Sequence, residues 1–384
     1  MRGAAALGGI ALGLAAGCFQ SDFLAGLPCA DDSECGDLSC EDGFCGGPAT
    51  GTTTSPDTST SEPPDTTSTS ISPTSEDETT ATTVDPDTTE SGSSESGGTC
   101  PPDCPCVPPP HEPCDGDANS LVLALGLSCP GEGDVENSQT GSVAGRTTRT
   151  EIGGFTAREG QRFAVLGSGL VNELTNETPD GDVPSSPTFC NDDQGNFDVG
   201  TLPAPMTNVP APESCDDPEI VGMGLDCSAT LDDEIVGEIQ DYSALTIGVT
   251  VPDDVRSFSF DFAFSSLEYP SSVGSAFNDL FVAWLVSETW TGNVSFDGDD
   301  AISVNSNLLV ITDDDMTEPM FAGTCLRGHA STGWLTTTAP VVAGEEIFVV
   351  FAVFDQVDSA VDSFVFLDAF RWNCSPVPAP ETHS

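Results

Sequence analysis

The chain contains no lysine, and only three histidines and two tyrosines among its 384 residues. Its eight basic residues are all arginines, whereas 63 acidic residues bring the formal net charge to -55. The absence of lysine excludes a P-loop and Schiff-base catalysis, because both need that side chain. The shortage of basic residues excludes nucleic acid as a partner, since no basic patch can displace its counterions. Divalent cations are natural partners of such an acidic chain.

Long hydrophobic runs are also lacking, and no segment reaches the about 18 apolar residues of a transmembrane helix. The apolar stretch at residues 4–16 has the length of a signal peptide and follows the basic residue Arg2. It ends in Leu14-Ala15-Ala16-Gly17-Cys18, which resembles the lipobox of bacterial lipoproteins. The resemblance implies that Cys18 is lipidated and anchors an exported protein to a membrane. The alternative is an ordinary secretory signal with a chance cysteine. Phe19, in place of an aspartate, favours the outer membrane and the cell surface.

The remaining cysteines are even in number, because removing Cys18 from the 15 leaves 14. An even number is what an exported, disulfide-bonded protein requires. The spacing in residues 29–45 also suits zinc, but no histidine is near and an oxidising compartment favours disulfides. We therefore predict disulfides, with the pairing left open, for Cys29, Cys35, Cys40, Cys45, Cys100, Cys104, Cys106, Cys114, Cys129, Cys190, Cys215, Cys227, Cys325 and Cys374.

Composition divides the chain into six parts. These are a signal peptide (1–17), a lipidated N-terminus with a small Cys-rich module (18–46), a Thr/Ser/Pro/Asp/Glu linker (47–99), a Cys/Pro-rich collar (100–116), a globular domain (117–374) and a tail (375–384). The linker has hardly any apolar side chains, so it cannot offset the entropy of ordering and is predicted to be disordered. The tail is also predicted to be disordered.

Alternating and apolar runs in the globular domain predict strands. In residues 256–264 four phenylalanines alternate with small or polar residues, which places all four rings on one face. Residues 347–354 are apolar throughout, as expected of a strand that is covered on both faces. Further strands are predicted at 163–171, 245–251, 279–286, 301–311 and 363–370, with a turn at 291–293 and one short helix at 121–127. The pattern predicts an all-β fold: an antiparallel, jelly-roll-like β-sandwich.

Three sequence blocks resemble the choice-of-anchor L domain of bacterial surface proteins. They are Glu268-Tyr269-Pro270, Phe277-Asn278-Asp279 and Asp362-Ser363, and the resemblance extends over about residues 114–374. It implies a β-rich fold and a surface location, with the N-terminal lipid as the anchor. It implies no particular activity.

Two clusters of oxygen-bearing side chains are candidates for a calcium site. Asp355, Asp358 and Asp362 follow one predicted strand, and Glu268, Asn278 and Asp279 lie at the edge of another. Calcium binds six to eight oxygens from such groups, usually on loops. The alternative is that these acids are solvated surface residues, as expected in a chain with so many of them.

Two further side chains are candidates for ligand binding or catalysis. Trp334 lies in a polar run and is the candidate stacking platform for a ligand, whereas core packing is the alternative. Only His329 could serve a catalytic site in the folded domain, and no nucleophile elbow accompanies it, so no catalytic residue is predicted. We therefore expect a surface binding or adhesion protein for an unknown glycan or protein, with calcium as its one candidate cofactor. An envelope structural protein and a carbohydrate-active hydrolase are the alternatives.

Overall fold

The computed structural model describes residues 40–41, 44–45, 106–116, 119–130, 135–175, 197–206, 221, 225–231, 234–298 and 300–384. The chain forms two units, Met1–Thr99 and Cys100–Ser384. In the first unit, strands β1 (Cys40–Glu41) and β2 (Phe44–Cys45) form a short antiparallel hairpin. The predictions for Cys18 and for the linker lie outside the described residues.

The second unit is built almost wholly from strands. Its described residues include a short α-helix, α1 (Leu121–Ala124), and 3-10 turns at Val143–Gly145, Glu173–Thr175 and Pro319–Phe321. Its strands are β3 (Glu136–Thr140), β4 (Arg146–Arg149), β5 (Glu151–Ile152), β6 (Phe155–Thr156), β7 (Phe163–Gly167), β8 (Ile239–Thr250), β9 (Ser257–Ser266), β10 (Leu280–Val286), β11 (Thr291–Asn293), β12 (Phe296–Asp297), β13 (Asp300–Ser303), β14 (Ile311–Thr312), β15 (Ala330–Ser331), β16 (Leu335–Pro340), β17 (Glu346–Gln356), β18 (Ser363–Asn373) and β19 (Glu381–His383). Within the described ranges, no helix is long and apolar enough to span a bilayer.

Two antiparallel sheets make the sandwich. The first has the strand order β12-β13-β10-β17-β8-β3, with β11 beside β10. The second has the order β14-β15-β9-β18-β7-β4, and β16 pairs with both β9 and β19. The pairs that join these strands are antiparallel. The prediction of an all-β, antiparallel sandwich is confirmed.

The main core fills the space between the sheets. Phe258, Phe260, Phe262 and Phe264 of β9 are all fully buried there, which confirms that they share one face. The ring centroid of Phe260 lies 6.3 Å from that of Phe258 and 6.1 Å from that of Phe262. Phe260 also meets Phe351 of β17 edge to face at 4.9 Å. Each such ring contributes about 1.5–3 kcal/mol through the apolar area that it removes from water.

Each sheet is also covered on its outer face. Phe163, Val165 and Phe366 of the second sheet belong to a separate apolar cluster that includes Phe155 and Phe321. On the first sheet a third cluster includes Trp284, Val350 and Phe354, with Leu202, Met206 and Leu231 packed over them. Because β17 contributes side chains to the main core and to the third cluster, its apolar run is explained by burial on both faces.

Three elements differ from the sequence prediction. Residues 291–293 form strand β11, because they pair with β10 instead of turning. The run 301–311 is interrupted by turns and contains two strands, β13 and β14. The tail was predicted to be disordered, but its strand β19 pairs with β16, and Thr382 shares a 2.9 Å hydroxyl–hydroxyl hydrogen bond with Thr337.

Two disulfides tie the collar to the sandwich. Cys106 pairs with Cys374, 268 residues away, and Cys114 pairs with Cys129, 15 residues away. Cys227 and Cys325 are also disulfide-bonded. These findings confirm disulfide bonding for six of the predicted cysteines, and the other eight lie outside the residues whose side chains are described.

We expect the long-range disulfide to stabilise the domain more than the short-range one. In the chain-entropy model a 15-residue loop is worth about 3 kcal/mol, and a loop beyond 100 residues about 5 kcal/mol. The double variant Cys106→Ser/Cys374→Ser should therefore lose more free energy of unfolding in urea than Cys114→Ser/Cys129→Ser. Each double variant removes a whole disulfide and leaves no odd thiol. An equal loss in both variants would contradict the loop-length argument.

Candidate functional site

The register of four strands gathers acidic side chains at one end of the sandwich. In the second sheet β9 pairs with β18, with Ser266 opposite Ser363. In the first sheet β10 pairs with β17, with Leu280 opposite Phe354. The residues at these four strand ends, or just beyond them, therefore lie close together. They are Glu268 after β9, Asn278 and Asp279 before β10, Asp355 near the end of β17, and Asp362 before β18, here called the acidic end.

Hydrogen bonds connect the two sheets at the acidic end. The backbone N–H of Asp279 donates to Oε2 of Glu268 at 3.0 Å. Asp279 in turn accepts, on Oδ2, a 2.7 Å hydrogen bond from the hydroxyl of Ser363. The backbone N–H of Ser363 donates to the hydroxyl of Ser168, which follows β7, at 2.9 Å. Because Asp279 precedes a strand of the first sheet and the other three belong to the second, this chain of bonds closes that end of the sandwich.

Asp355 is the least satisfied member of the acidic end. Its exposed fraction is 1%, and neither carboxylate oxygen has a hydrogen-bond partner. Burial raises the pKa of Asp355 well above its usual value, and the charges of Asp279 and Asp362 raise it further, although Ser168 lies close enough to oppose part of this rise. The Oδ1 atom of Asn278 is also buried without a partner, while its Nδ2 donates to Glu234 at 2.6 Å.

The same surroundings raise the pKa values of two other carboxyl groups, those of Asp279 and Glu268. Burial raises the pKa of Asp279 well above its usual value, and the neighbouring charge of Glu268 adds to the rise. Burial also raises the pKa of Glu268, with a smaller contribution from the charge of Asp358. Asp358 is only partly buried, and its Oδ1 accepts a 3.3 Å hydrogen bond from the N–H of Ala360. It therefore lies at the rim of the acidic end.

Two contributors were missed by the sequence analysis. Asp241 in β8 is buried, has a positive φ of 45°, and its charge adds to the raised pKa of Asp355. Gly169 leaves space for Asp362, because a Cβ atom at that position would overlap the Asp362 carboxylate. Asp241 lies within a long strand. Gly169 contributes only because it has no side chain, which leaves room for the Asp362 carboxylate. No spacing rule in the sequence points to either residue.

The acidic end offers oxygen ligands only. Carboxylates, an amide oxygen and hydroxyls are the groups that bind hard cations such as calcium. In the part of the chain that the structure describes, no group of three or more His, Cys, Asp or Glu side chains is already arranged to hold a metal ion. Any cation would therefore have to draw these side chains together by changes of rotamer.

The remaining candidates lie elsewhere. Trp334 is partly buried and meets the rings of Phe163 and Phe155 nearly at right angles, at 5.7 and 6.3 Å. This packing leaves less of its ring for a ligand than the sequence predicted. His329 is held by a 2.8 Å contact from Nδ1 to the carbonyl of Tyr269, and burial lowers its pKa.

The comparison with protein families matches part of this sandwich. Residues 226–372 match the family described as Choice-of-anchor L domain. The matched stretch is shorter than the predicted 114–374, but it contains all six side chains predicted to bind a metal. No curated protein matches the chain. A domain of this family is characteristic of bacterial proteins that are exported or held at the cell surface. Residues 226–372 of the sandwich are therefore similar to the choice-of-anchor L domain.

Proposed function

We propose that this protein is an outer-membrane lipoprotein that displays a calcium-stabilised binding module at the bacterial cell surface. The family supports the surface location. The run from Leu14 to Cys18 supports the lipid anchor. The acidic end supports the cation, and a sandwich whose loops cluster at its ends is a common scaffold for binding.

The carboxylate of Asp355 is the observation that carries the calcium proposal. An ionised carboxylate in a protein interior is costly unless it is paired or coordinates a metal. Here both oxygens lack a partner, and the nearest ionisable groups are further acids. A divalent cation would convert the repulsion among Asp279, Asp355 and Asp362 into attraction.

The ligand set favours calcium over other cations. Zinc binds chiefly to Cys and His, and neither residue is among the side chains of the acidic end. Magnesium needs near-ideal octahedral geometry and keeps several waters, which a closed interior cannot supply. Calcium accepts a flexible shell of six to eight oxygens, and extracellular modules bind it with dissociation constants of about 0.1–1 mM.

Calcium would stabilise the fold through the loops that it holds. The segments 267–279 and 357–362 connect the strands of the acidic end, and each carries two or more of the candidate ligands. A cation shared by both segments would fix their positions on the two sheets. Calcium would thus order the loops at this end without contacting the bound partner, because the carboxylates themselves are buried.

We expect calcium to raise the melting temperature of the full chain, and a chelator to reverse the change. Binding to the folded state alone stabilises it by about 2.7 kcal/mol at a hundredfold excess over the dissociation constant. Asp355→Asn should abolish the calcium response. It should also melt higher than the wild type in chelator, because one buried like charge has been removed. Asp358→Asn, at the rim, should weaken the response without abolishing it. Calorimetry with and without calcium measures all of these effects.

Asp226→Asn is the matched control for this experiment. Asp226 is also buried with one unpartnered oxygen, but its hydrogen-bond partners Ser228 and Asn293 are neutral. Its substitution should leave the calcium increment unchanged. If the wild type melts at the same temperature in calcium and in chelator, and becomes more stable as the pH falls, the acids share protons instead of a cation.

We expect Cys18→Ser to abolish lipid labelling and to remove the protein from the membrane fraction. Stable anchoring by lipid alone takes two or more acyl chains, and bacterial lipoproteins carry these at the cysteine. Labelling with radioactive palmitate and fractionation of cells measure the effect. Cys29→Ser, which changes a nearby cysteine, should keep both the label and the membrane location. A Cys18→Ser protein that still sediments with membranes would refute the lipid anchor.

A further inference from the structure

A groove lies at the other end of the sandwich from the acidic end. One wall is the collar segment Pro108–His111, and another is the end of β18, Phe370–Asn373. The end of β8 and residues 126–128 after α1 complete it. Its volume is about 760 Å³. This lies within the range of small-molecule binding sites, which is about 300–1,000 Å³.

The two described disulfides hold the walls of this groove in place. Cys106 precedes the collar wall and is bonded to Cys374, which directly follows the β18 wall. Cys114 follows the collar wall and is bonded to Cys129, which directly follows residues 126–128. Both ends of the collar wall are therefore fixed to the sandwich. A preformed site of this kind loses little conformational entropy when a ligand binds.

The groove has no acidic lining residue, although the protein is highly acidic. Two lining residues contact the same glutamate outside the lining: Arg371 donates to Oε2 of Glu159 at 2.7 Å, and Nε2 of His111 lies 2.7 Å from Oε1 of Glu159. A cationic ligand would find no acid here, and an anionic one would be repelled by the chain as a whole.

The lining combines apolar surface with a polar rim. Trp372 is partly buried and stands nearly perpendicular to Phe258 and Phe370, at 74° and 84°. Three successive prolines also line the groove. At the rim, Thr250 is exposed and the side chain of Arg371 has an exposed fraction of 53%. An uncharged ligand with one apolar face and several hydroxyl groups fits both surfaces.

We propose that this groove binds a neutral saccharide. The C–H face of a sugar ring would pack against Trp372 and the prolines, because an aromatic side chain combines a large apolar area with a polar tip. The sugar hydroxyls would exchange hydrogen bonds with Arg371, Asn373 and Thr250. This inference rests on the proposed surface-binding function and names its ligand class, but it does not depend on calcium.

The test is binding of the full chain, purified in detergent, to an array of immobilised neutral oligosaccharides. The best-binding free oligosaccharide is then titrated against the wild type and the variants. Trp372→Ala should weaken binding about tenfold or more, the loss expected for a stacking aromatic ring. Thr250→Trp, at an exposed position of the rim, should block the groove without disturbing the core. Trp334→Phe is the matched control and should leave the affinity within about twofold.

Each outcome separates this inference from the proposed function. Glycan binding that neither Trp372→Ala nor Thr250→Trp weakens would overturn the groove as the site and leave the surface-binding function standing. Failure to bind any neutral saccharide, or preferential binding of a proline-rich peptide or an apolar dye, would overturn the ligand class. The calcium response of the melting temperature is measured separately, so its absence would refute the calcium part of the function and not the groove.

Discussion

The antiparallel register of β9 with β18, and of β10 with β17, is the constraint on which the rest of this structure depends. It sets Ser266 opposite Ser363 in one sheet and Leu280 opposite Phe354 in the other. A slip of one residue in β9 would turn its four phenylalanines out of the core, because side chains alternate between the faces of a strand. The same register carries the acids that lie beyond the strand ends into one place. The hydrophobic pattern of the strands therefore positions the polar site.

Burying several acids together costs free energy, and the structure shows how the cost is limited. Glu268 and Asp279 each accept a hydrogen bond, the first from a backbone N–H and the second from the hydroxyl of Ser363. Asp355 receives none. A bare buried carboxylate is penalised by several kcal/mol, whereas apolar residues of similar size would pack there without penalty. The stability of the fold by itself thus does not account for these acids, whereas the proposed cation would offset the cost of burying them.

Much of the scaffold was predictable because its signals are local. Alternation in β9 and the unbroken apolar run of β17 follow from period two and from burial, so both could be read from neighbouring residues. Long-range geometry was not predictable in the same way. The Thr291–Asn293 segment has turn residues, yet β10 pairs with it, and the partner of Cys106 lies 268 residues away. For the acidic end, the two clusters were visible as oxygen ligands near strand ends. Asp241 was not, because only the fold brings β8 beside β17.

The groove and the acidic end lie at opposite ends of the same strands, and this separation limits how they can influence each other. Strand β18 runs from Ser363, beside the acidic end, to Asn373 in the groove, and its 11 residues span about 35 Å. Strand β8 likewise extends from near Asp241 to Thr250. Sites so far apart that share no side chain contribute to stability almost additively. A cation at one end would therefore raise the population of folded protein without changing the intrinsic affinity of the groove. If calcium acts only on stability, the affinity of the groove for its ligand will not depend on calcium under conditions in which all of the chain is folded. If calcium bridged the ligand directly, that affinity would depend on calcium even then.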